Sequence, residues 1–233
     1  MKLSTEQIDY LYQFTRNHYV EYYDLQTELV DHLANAIEEQ WQENPKLSFE
    51  AALQMEFKKF GVFGFMDVVE KRQKVLNKKY NKIVWSHFKD FFSIPKIILT
   101  TCLVFGLFYF IKMFYFKEIF IALFSLLILI LFLELFRANK KIKKLKQKTG
   151  KIWLFEQIIF GYGSFSGILM LPFHILNTFS HSSSSLLQND YILFGFSFFS
   201  ISIIITAYII VKIIPSKTEE YLKETYPEYS LVN

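Results

Sequence analysis

Four apolar runs in the second half of the chain constrain its fold more than any other feature. A helix needs roughly 20 largely apolar residues to cross a bilayer. The four runs that approach this length are residues 94–111, 119–136, 152–179 and 191–214. Hydrophobic residues make up 52% of the whole chain, which is above the usual share for a soluble domain. The sequence therefore predicts a multi-pass membrane protein with four transmembrane helices.

A basic segment between the second and third runs predicts how these helices are oriented. Residues 137–151 contain eight Lys or Arg residues and no acid, whereas residues 180–190 contain neither Lys nor Arg. The basic residues are Arg137, Lys140, Lys141, Lys143, Lys144, Lys146, Lys148 and Lys151. Positive loops stay in the cytoplasm, so four spans place both termini there. The segment is interpreted as a cytoplasmic loop and topology signal, or as a binding strip for anionic lipid or an acidic partner.

The first part of the chain predicts a small helical head, residues 1–62. Ser4 and Gln7 have the spacing of a capping box at a helix start. Ser48 is placed to cap a later helix, and Gly61 to end it. Apolar residues recur at three- and four-residue steps between these points, which indicates amphipathic helices that share a core. The members of the longest stripe are Leu25, Leu29, Leu33, Ala36, Ile37 and Trp41.

The remaining segments complete an all-α prediction. Residues 63–93 are predicted to form an amphipathic, basic helix that couples the head to the membrane domain, residues 94–214. Residues 215–233 are predicted to be a cytosolic tail. Gly163 and Gly167, four residues apart in the third run, favour close helix packing or a homodimer. A formal net charge of only +4 gives no support for direct binding of nucleic acid.

Glu28, Asp31 and His32 raise the question of a metal or catalytic site. Glu28 and His32 lie four residues apart and share a helix face, and His18 and Glu21 could add ligands from a neighbouring segment. Carboxylate-bridged bundle sites use Glu-x-x-His pairs, however, and neither pair here has that form. We therefore interpret the residues as a solvated helix face. No catalytic residue, metal or cofactor is predicted.

The head resembles the small helical cytosolic domain that precedes transmembrane segments in many bacterial membrane proteins. These proteins are associated with PadR-type regulators or are permeases with such a prefix domain. The likeness is carried by residues 28–33, 37–39, 48–53 and 59–61. It implies a bacterial inner-membrane location and a signalling or interaction role without catalysis. A PadR-type regulator, as a separate protein, is one implied partner.

These observations favour a protein whose cytosolic head binds a cytosolic or membrane protein. The predicted partner surface consists of Glu28, Asp31, His32, Glu38 and Glu39. The alternative is a small permease or permease subunit, with a polar path lined by His174, Asn177, Ser197, Ser200 and Thr206. A membrane-embedded enzyme is disfavoured, because Glu134 and Glu156 belong near the inner face and His174 near the outer face.

Overall fold

The computed structural model describes residues 2–113, 116–162 and 189–232, and these residues form helices joined by short turns. No strand occurs among them, which confirms the all-α prediction. The helices in chain order are α1 (Thr5–Asn17), α2 (Tyr23–Glu43), α3 (Phe49–Lys59), α4 (Met66–Asp90), α5 (Lys96–Met113), α6 (Phe116–Thr149), α7 (Leu154–Phe160), α8 (Asp190–Tyr208), α9 (Ile214–Ser216), α10 (Thr218–Thr225) and α11 (Tyr229–Val232).

Local signals set the limits of the first three helices. The Ser4 hydroxyl accepts a hydrogen bond from the Gln7 N–H at 3.3 Å, and the Gln7 side chain accepts one from the Ser4 N–H at 2.9 Å. Ser48 likewise accepts from the Ala51 N–H at 3.3 Å. Gly61 follows α3 with a φ of +78°, a conformation that side chains with a Cβ disfavour. The predicted capping box, the Ser48 cap and the glycine stop are therefore confirmed.

The apolar stripe of α2 faces the core of the head. Leu25, Leu29, Leu33, Ile37 and Trp41 are buried, and Ala36 is half-buried. The Trp41 indole N–H donates to the Leu47 carbonyl at 2.9 Å, which ties the end of α2 to the turn before α3. Burying these side chains in a mutual core supplies most of the stability of α2, because helices in proteins are stabilised mainly by packing of their apolar face.

The hydrophobic core does not stop at residue 62. One continuous cluster joins the head to Tyr80 and Val84 of α4, to residues 153–155 and to Leu222 of α10. Tyr80, Phe155 and Leu222 are all completely buried. The segment predicted as a cytosolic tail, residues 215–233, thus contributes core side chains.

Residues 137–149 of the predicted cytoplasmic loop are helical. They continue the helix that contains the second apolar run, and α6 extends without a break from Phe116 to Thr149. The reason is local: Ala, Leu, Gln, Lys and Arg are strong helix formers, and no glycine or proline interrupts them before Gly150. Gly150, with a φ of +67°, follows the end of the helix.

Two described helices are long and apolar enough to cross a membrane: α5 and the continuous helix Asp190–Ser216. The second includes a π-helical stretch, Ile209–Ile213, just before Pro215. Proline lacks an N–H and clashes with the carbonyl four residues back, and a π turn accommodates that disturbance. Residues 119–136 lie within α6. Their role as a span remains a prediction.

The start of the third apolar run packs into the core as a short helix. Helix α7 ends at Phe160, and Tyr162 has a φ of +61°, so residues 152–162 are not one continuous span. Residues 163–179 lie outside the described residues, as do Gly163 and Gly167. The predicted packing or dimer role of the two glycines therefore remains a prediction.

Helices α5 and α8 pack in an antiparallel arrangement. The Lys112 ammonium lies 2.7 Å from the Asp190 carboxylate, and the Phe105 and Phe194 rings lie 5.4 Å apart. At the other end of α8, the Tyr208 ring lies 6.4 Å from that of Phe91. The C-terminal end of α5 and the N-terminal end of α8 are thus on the same side.

This arrangement predicts a specific crosslink. Lys112→Cys and Asp190→Cys, introduced together with Cys102→Ser to remove the only native cysteine, should be joined by a short bis-maleimide in intact membranes. A matched pair, Lys112→Cys with Lys212→Cys, should not be joined, because these residues lie near opposite ends of the antiparallel pair. The chain is then cleaved between the two sites and run on a denaturing gel. A crosslink is detected because the two fragments stay joined. Equal crosslinking of both pairs would contradict the antiparallel packing.

Candidate functional site

The outer face of α2 carries the acidic residues that the sequence singles out. Glu28, Asp31, His32 and Glu39 are exposed. Their spacing of three, four or seven residues places them along one side of the helix. Leu29 and Leu33 are buried on the opposite side. Helix α2 therefore separates a solvated acidic face from an apolar core face, as predicted.

Two of the five predicted residues also make contacts inside the head. Glu38 is half-buried, and its carboxylate accepts a hydrogen bond from the Leu3 N–H at 2.9 Å. The His32 ring lies edge-on to Phe60, with centroids 5.9 Å apart. These contacts fix the start of the chain and the end of α3 against α2. The acidic face consequently sits on a bundle whose three helices hold one another in place.

His18, considered above as a further metal ligand, packs among aromatic side chains instead. The His18 ring packs among Phe14, Phe57 and Phe65, with centroid distances of 4.2 to 6.0 Å. Its Nδ1 lies 2.8 Å from the Phe14 carbonyl oxygen. Within the described part of the chain, no three His, Cys, Asp or Glu residues are grouped so that they could hold a metal ion.

Asp24, at the N-terminal end of α2, lies at the centre of a buried junction that sequence reasoning missed. Its side chain is 7% exposed. One carboxylate oxygen accepts the Leu154 N–H at 3.0 Å, and the other accepts the Tyr226 hydroxyl at 2.9 Å. The Tyr226 oxygen in turn accepts the Phe155 N–H at 3.2 Å. This set, Asp24, Leu154, Phe155 and Tyr226, is called the Asp24 junction below.

The junction joins three distant parts of the chain. Asp24 belongs to the head, and Leu154 and Phe155 belong to the short helix that follows α6. Tyr226 directly follows the end of α10. A backbone hydrogen bond from the Tyr23 N–H to the Ile152 carbonyl, 2.8 Å long, reinforces the first of these connections. The N-terminal end of α2 is therefore hydrogen-bonded directly to the segment that follows α6.

Electrostatics make the Asp24 junction sensitive to its protonation state. Burial raises the pKa of Asp24 above its ordinary value, because loss of hydration outweighs the hydrogen bonds from Leu154 and Tyr226 and the nearby positive charge of Arg72. Burial and the adjacent carboxylate also raise the pKa of the Tyr226 hydroxyl, which therefore stays a donor. The Arg72 Nε is buried and has no hydrogen-bond partner among the described residues.

Aromatic rings surround the junction. The Trp153 ring lies 4.7 Å from that of Tyr226 and 5.3 Å from those of Tyr23 and Tyr229. Trp153 itself is only 2% exposed. These rings exclude water from the carboxylate, and a buried hydrogen bond is stronger in such a low-dielectric setting.

Helix α10 also contacts helix α4. The Lys79 ammonium donates to the Thr225 hydroxyl at 3.0 Å and lies 3.5 Å from the Glu224 carboxylate. Further along α4, the His87 Nε2 lies 2.8 Å from the Tyr221 hydroxyl. Helix α4 thus contacts α10 along two turns. Tyr226, which directly follows α10, reaches Asp24 from there.

The structure describes only part of the predicted permease path. Ser197 and Ser200 are buried in α8, and the hydroxyls of Ser197 and Thr206 donate to carbonyls of their own helix at 3.0 and 2.8 Å. His174 and Asn177 lie outside the described residues. The Ser197 and Thr206 hydroxyls thus bond to backbone one turn back, whereas the buried Ser200 hydroxyl has no hydrogen-bond partner among the described residues.

Of the two predicted inner-edge carboxylates, Glu134 pairs with the first residue of the basic segment. Glu134 of α6 lies 2.5 Å from Arg137 and 3.3 Å from Lys212, and Glu156 is half-buried on α7. The predicted lipid or topology residues all lie in the second half of α6. Arg137, Lys140, Lys141, Lys143 and Lys144 are exposed, and Lys146 and Lys148 continue the same helix.

Comparisons of the chain with protein-family models, with curated proteins and with solved structures found no match. A sequence signal for Asp24 did exist, since an acid in the first turn of a helix is common. An exposed acid that interacts only with the helix dipole would give the same sequence pattern. The pattern also does not point to Tyr226, which lies 202 positions away in the chain.

Proposed function

We propose that this chain is a bacterial inner-membrane signalling or interaction protein whose cytosolic helical head binds a protein partner. The observation that carries the proposal is the double role of α2. One face of this helix presents exposed carboxylates, while its N-terminal end is hydrogen-bonded to membrane-proximal segments through the Asp24 junction. Binding at the exposed face of α2 is thereby linked to the helices of the proposed membrane domain, residues 94–214. The proposed role is transmission of an interaction and involves no catalysis.

The chemistry of the face indicates the kind of partner. Glu28, Asp31 and Glu39 are exposed and place three negative charges on one side of α2. A complementary surface rich in Lys or Arg would steer association and fix its orientation. The resemblance of the head to PadR-associated domains makes a PadR-type regulator a proposed partner.

The cytosolic location of the head supports such a partner. The eight basic residues in 137–151 and the positive-inside bias favour cytoplasmic exposure of both termini. The multi-pass topology, the inner-membrane location and this orientation are parts of the same proposal. Two helices of sufficient length and apolarity to cross a membrane support it.

Charge reversal on the face tests the proposal. We expect Glu28→Lys, Asp31→Lys and Glu39→Lys, combined in the full chain, to abolish the protein crosslinked to the head in native membranes. The matched control reverses three other exposed acids of the head, Asp9, Glu43 and Glu50, and should keep the crosslink. Quantitative mass spectrometry of the purified, crosslinked chain gives the readout.

The two triple variants have the same net charge, so a general electrostatic effect would change both. Loss of the crosslink in both variants, or in neither, contradicts a partner site on the α2 face. Thermal unfolding of each variant in detergent checks that the head is still folded. Exposed substitutions of this kind usually change stability by less than about 0.5 kcal/mol each.

A further inference from the structure

An aromatic stack with one exposed member, Trp85, lies at the C-terminal end of α4. The Trp85 and Phe88 rings are stacked, with centroids 5.4 Å apart and planes only 13° apart, and the Phe92 ring lies 5.1 Å from Phe88. Trp85 is 57% exposed, whereas Trp41 and Trp153 are 5% and 2% exposed. A large exposed indole stacked on further aromatic rings is not explained by packing of the head.

The stack lies beside the helices that are apolar enough to cross a membrane. Phe92 contacts Phe198 of α8 with ring centroids 6.1 Å apart, and α5 begins at Lys96. Trp85 precedes Phe92 by seven residues, or about 10 Å along a helix. Ile94, between the stack and α5, is 88% exposed. The exposed apolar surface therefore continues from the stack into a candidate span.

Lysines surround the stack on the same side of α4. Lys78, Lys82 and Lys89 are exposed and are separated from Trp85 by seven, three and four residues, which places them on its helix face. The Lys89 ammonium lies 5.6 Å from the centre of the Trp85 ring. Aromatic rings next to Lys side chains are typical of the boundary between lipid headgroups and acyl chains.

We propose that these residues form a binding surface for anionic phospholipid. The surface consists of Lys78, Lys82, Trp85, Phe88, Lys89 and Phe92 and is called the Trp85 surface. Trp85 lies at the level of the headgroups, and the ammonium groups contact lipid phosphates. The bilayer, rather than a protein, is the occupant because the surface is continuous with the exposed apolar side chains of α5. The surface holds α4 against the membrane and is separate from the acidic face of α2.

Depth-dependent fluorescence quenching in lipid nanodiscs tests this inference on the full chain. Nanodiscs contain phosphatidylcholine alone or mixed with phosphatidylglycerol, and a fraction of the lipid carries a spin label near the headgroup. We expect the label to quench tryptophan emission, more strongly with phosphatidylglycerol. The quenched component should disappear in Trp85→Phe, which keeps an aromatic ring in the stack. Adding Tyr10→Trp to that variant places an indole on the head and should not restore quenching.

A charge variant tests the lipid preference separately. Lys78→Gln, Lys82→Gln and Lys89→Gln together should remove the difference between the two lipid mixtures. Replacing three exposed lysines of the head, Lys2, Lys46 and Lys58, by Gln should leave that difference unchanged. Absence of Trp85 quenching, or equal quenching in both lipid mixtures, would overturn the inference. Neither result depends on a partner of the α2 face, so the two proposals fail independently.

Discussion

Replacing Tyr226 by alanine is expected to lower the free energy of unfolding by about 3–5 kcal/mol, the usual cost of removing a buried aromatic side chain. Tyr226 is 2% exposed, packs against Trp153, and donates to Asp24. Tyr226→Phe keeps the ring and removes only the hydroxyl. It should cost about 1–3 kcal/mol, because Asp24 and the Phe155 N–H lose a partner in a buried site.

Thermal unfolding of the full chain in detergent, followed by tryptophan emission, measures these effects, since Trp153 reports on the ring beside it. Tyr10→Ala is the matched control, because Tyr10 is 48% exposed. It should destabilise the chain by less than about 1 kcal/mol. Equal destabilisation by Tyr10→Ala and Tyr226→Ala would show that the segment after residue 215 is not part of the core.

Asp24→Ala is expected to destabilise the protein by about 2–5 kcal/mol, because the buried Leu154 N–H and Tyr226 hydroxyl each lose an acceptor. Asp24→Asn should cost less. Its amide oxygen can accept the Leu154 N–H and the buried charge is removed, so only the Tyr226 O–H loses its acceptor. Asp31→Ala, on the exposed side of the same helix, should have little effect.

The pH dependence separates the charge of Asp24 from its hydrogen bonds. Because the pKa of Asp24 is raised in the folded protein from its ordinary value of 3.8, the folded state holds this proton in a pH range where the unfolded state has lost it. Asp24 therefore contributes a loss of stability as pH rises from its ordinary value through its folded pKa. Asp24→Asn lacks this contribution. Its stability relative to the native chain should increase across that range.

Chemical unfolding of the native chain and Asp24→Asn in the same detergent, between about pH 4 and pH 7, measures the difference. The critical result is whether the stability of Asp24→Asn relative to the native chain rises or falls with pH. A native chain that gains stability relative to Asp24→Asn as pH rises would mean that the folded pKa of Asp24 is lowered. The carboxylate would then be stabilised by its partners more than it is penalised by burial.

Local features of the fold were predictable wherever a few neighbouring residues decide the outcome. The Ser4 and Ser48 caps and the stop at Gly61 depend on side chains within three residues of the backbone groups they satisfy. The stripe from Leu25 to Trp41 depends on helix periodicity alone. The helical structure of residues 137–149 was missed, because the charge pattern was interpreted as a loop. Charge sets the preferred side of a membrane, but it does not end a helix made of good helix formers.

The Asp24 junction was not predictable, for a physical reason. A carboxylate in the first turn of a helix is stabilised by the helix dipole or by any buried donor, and the local sequence is the same in both cases. The same holds for Tyr226, since one tyrosine in a polar tail does not reveal whether it is buried. Whether Tyr226 is buried depends on the packing of α10 against α4, which involves Lys79 and His87 far away in the chain.

The sequence by itself determined that this chain is helical, that part of it is apolar enough to enter a membrane, and that α2 has an acidic and an apolar side. These properties follow from composition and periodicity, which act over one or two helical turns. The tertiary structure alone decided that the head, residues 152–155 and the C-terminal segment share one core. That arrangement depends on which buried donors and acceptors meet, and a buried polar group gains its partner only when the whole chain is packed.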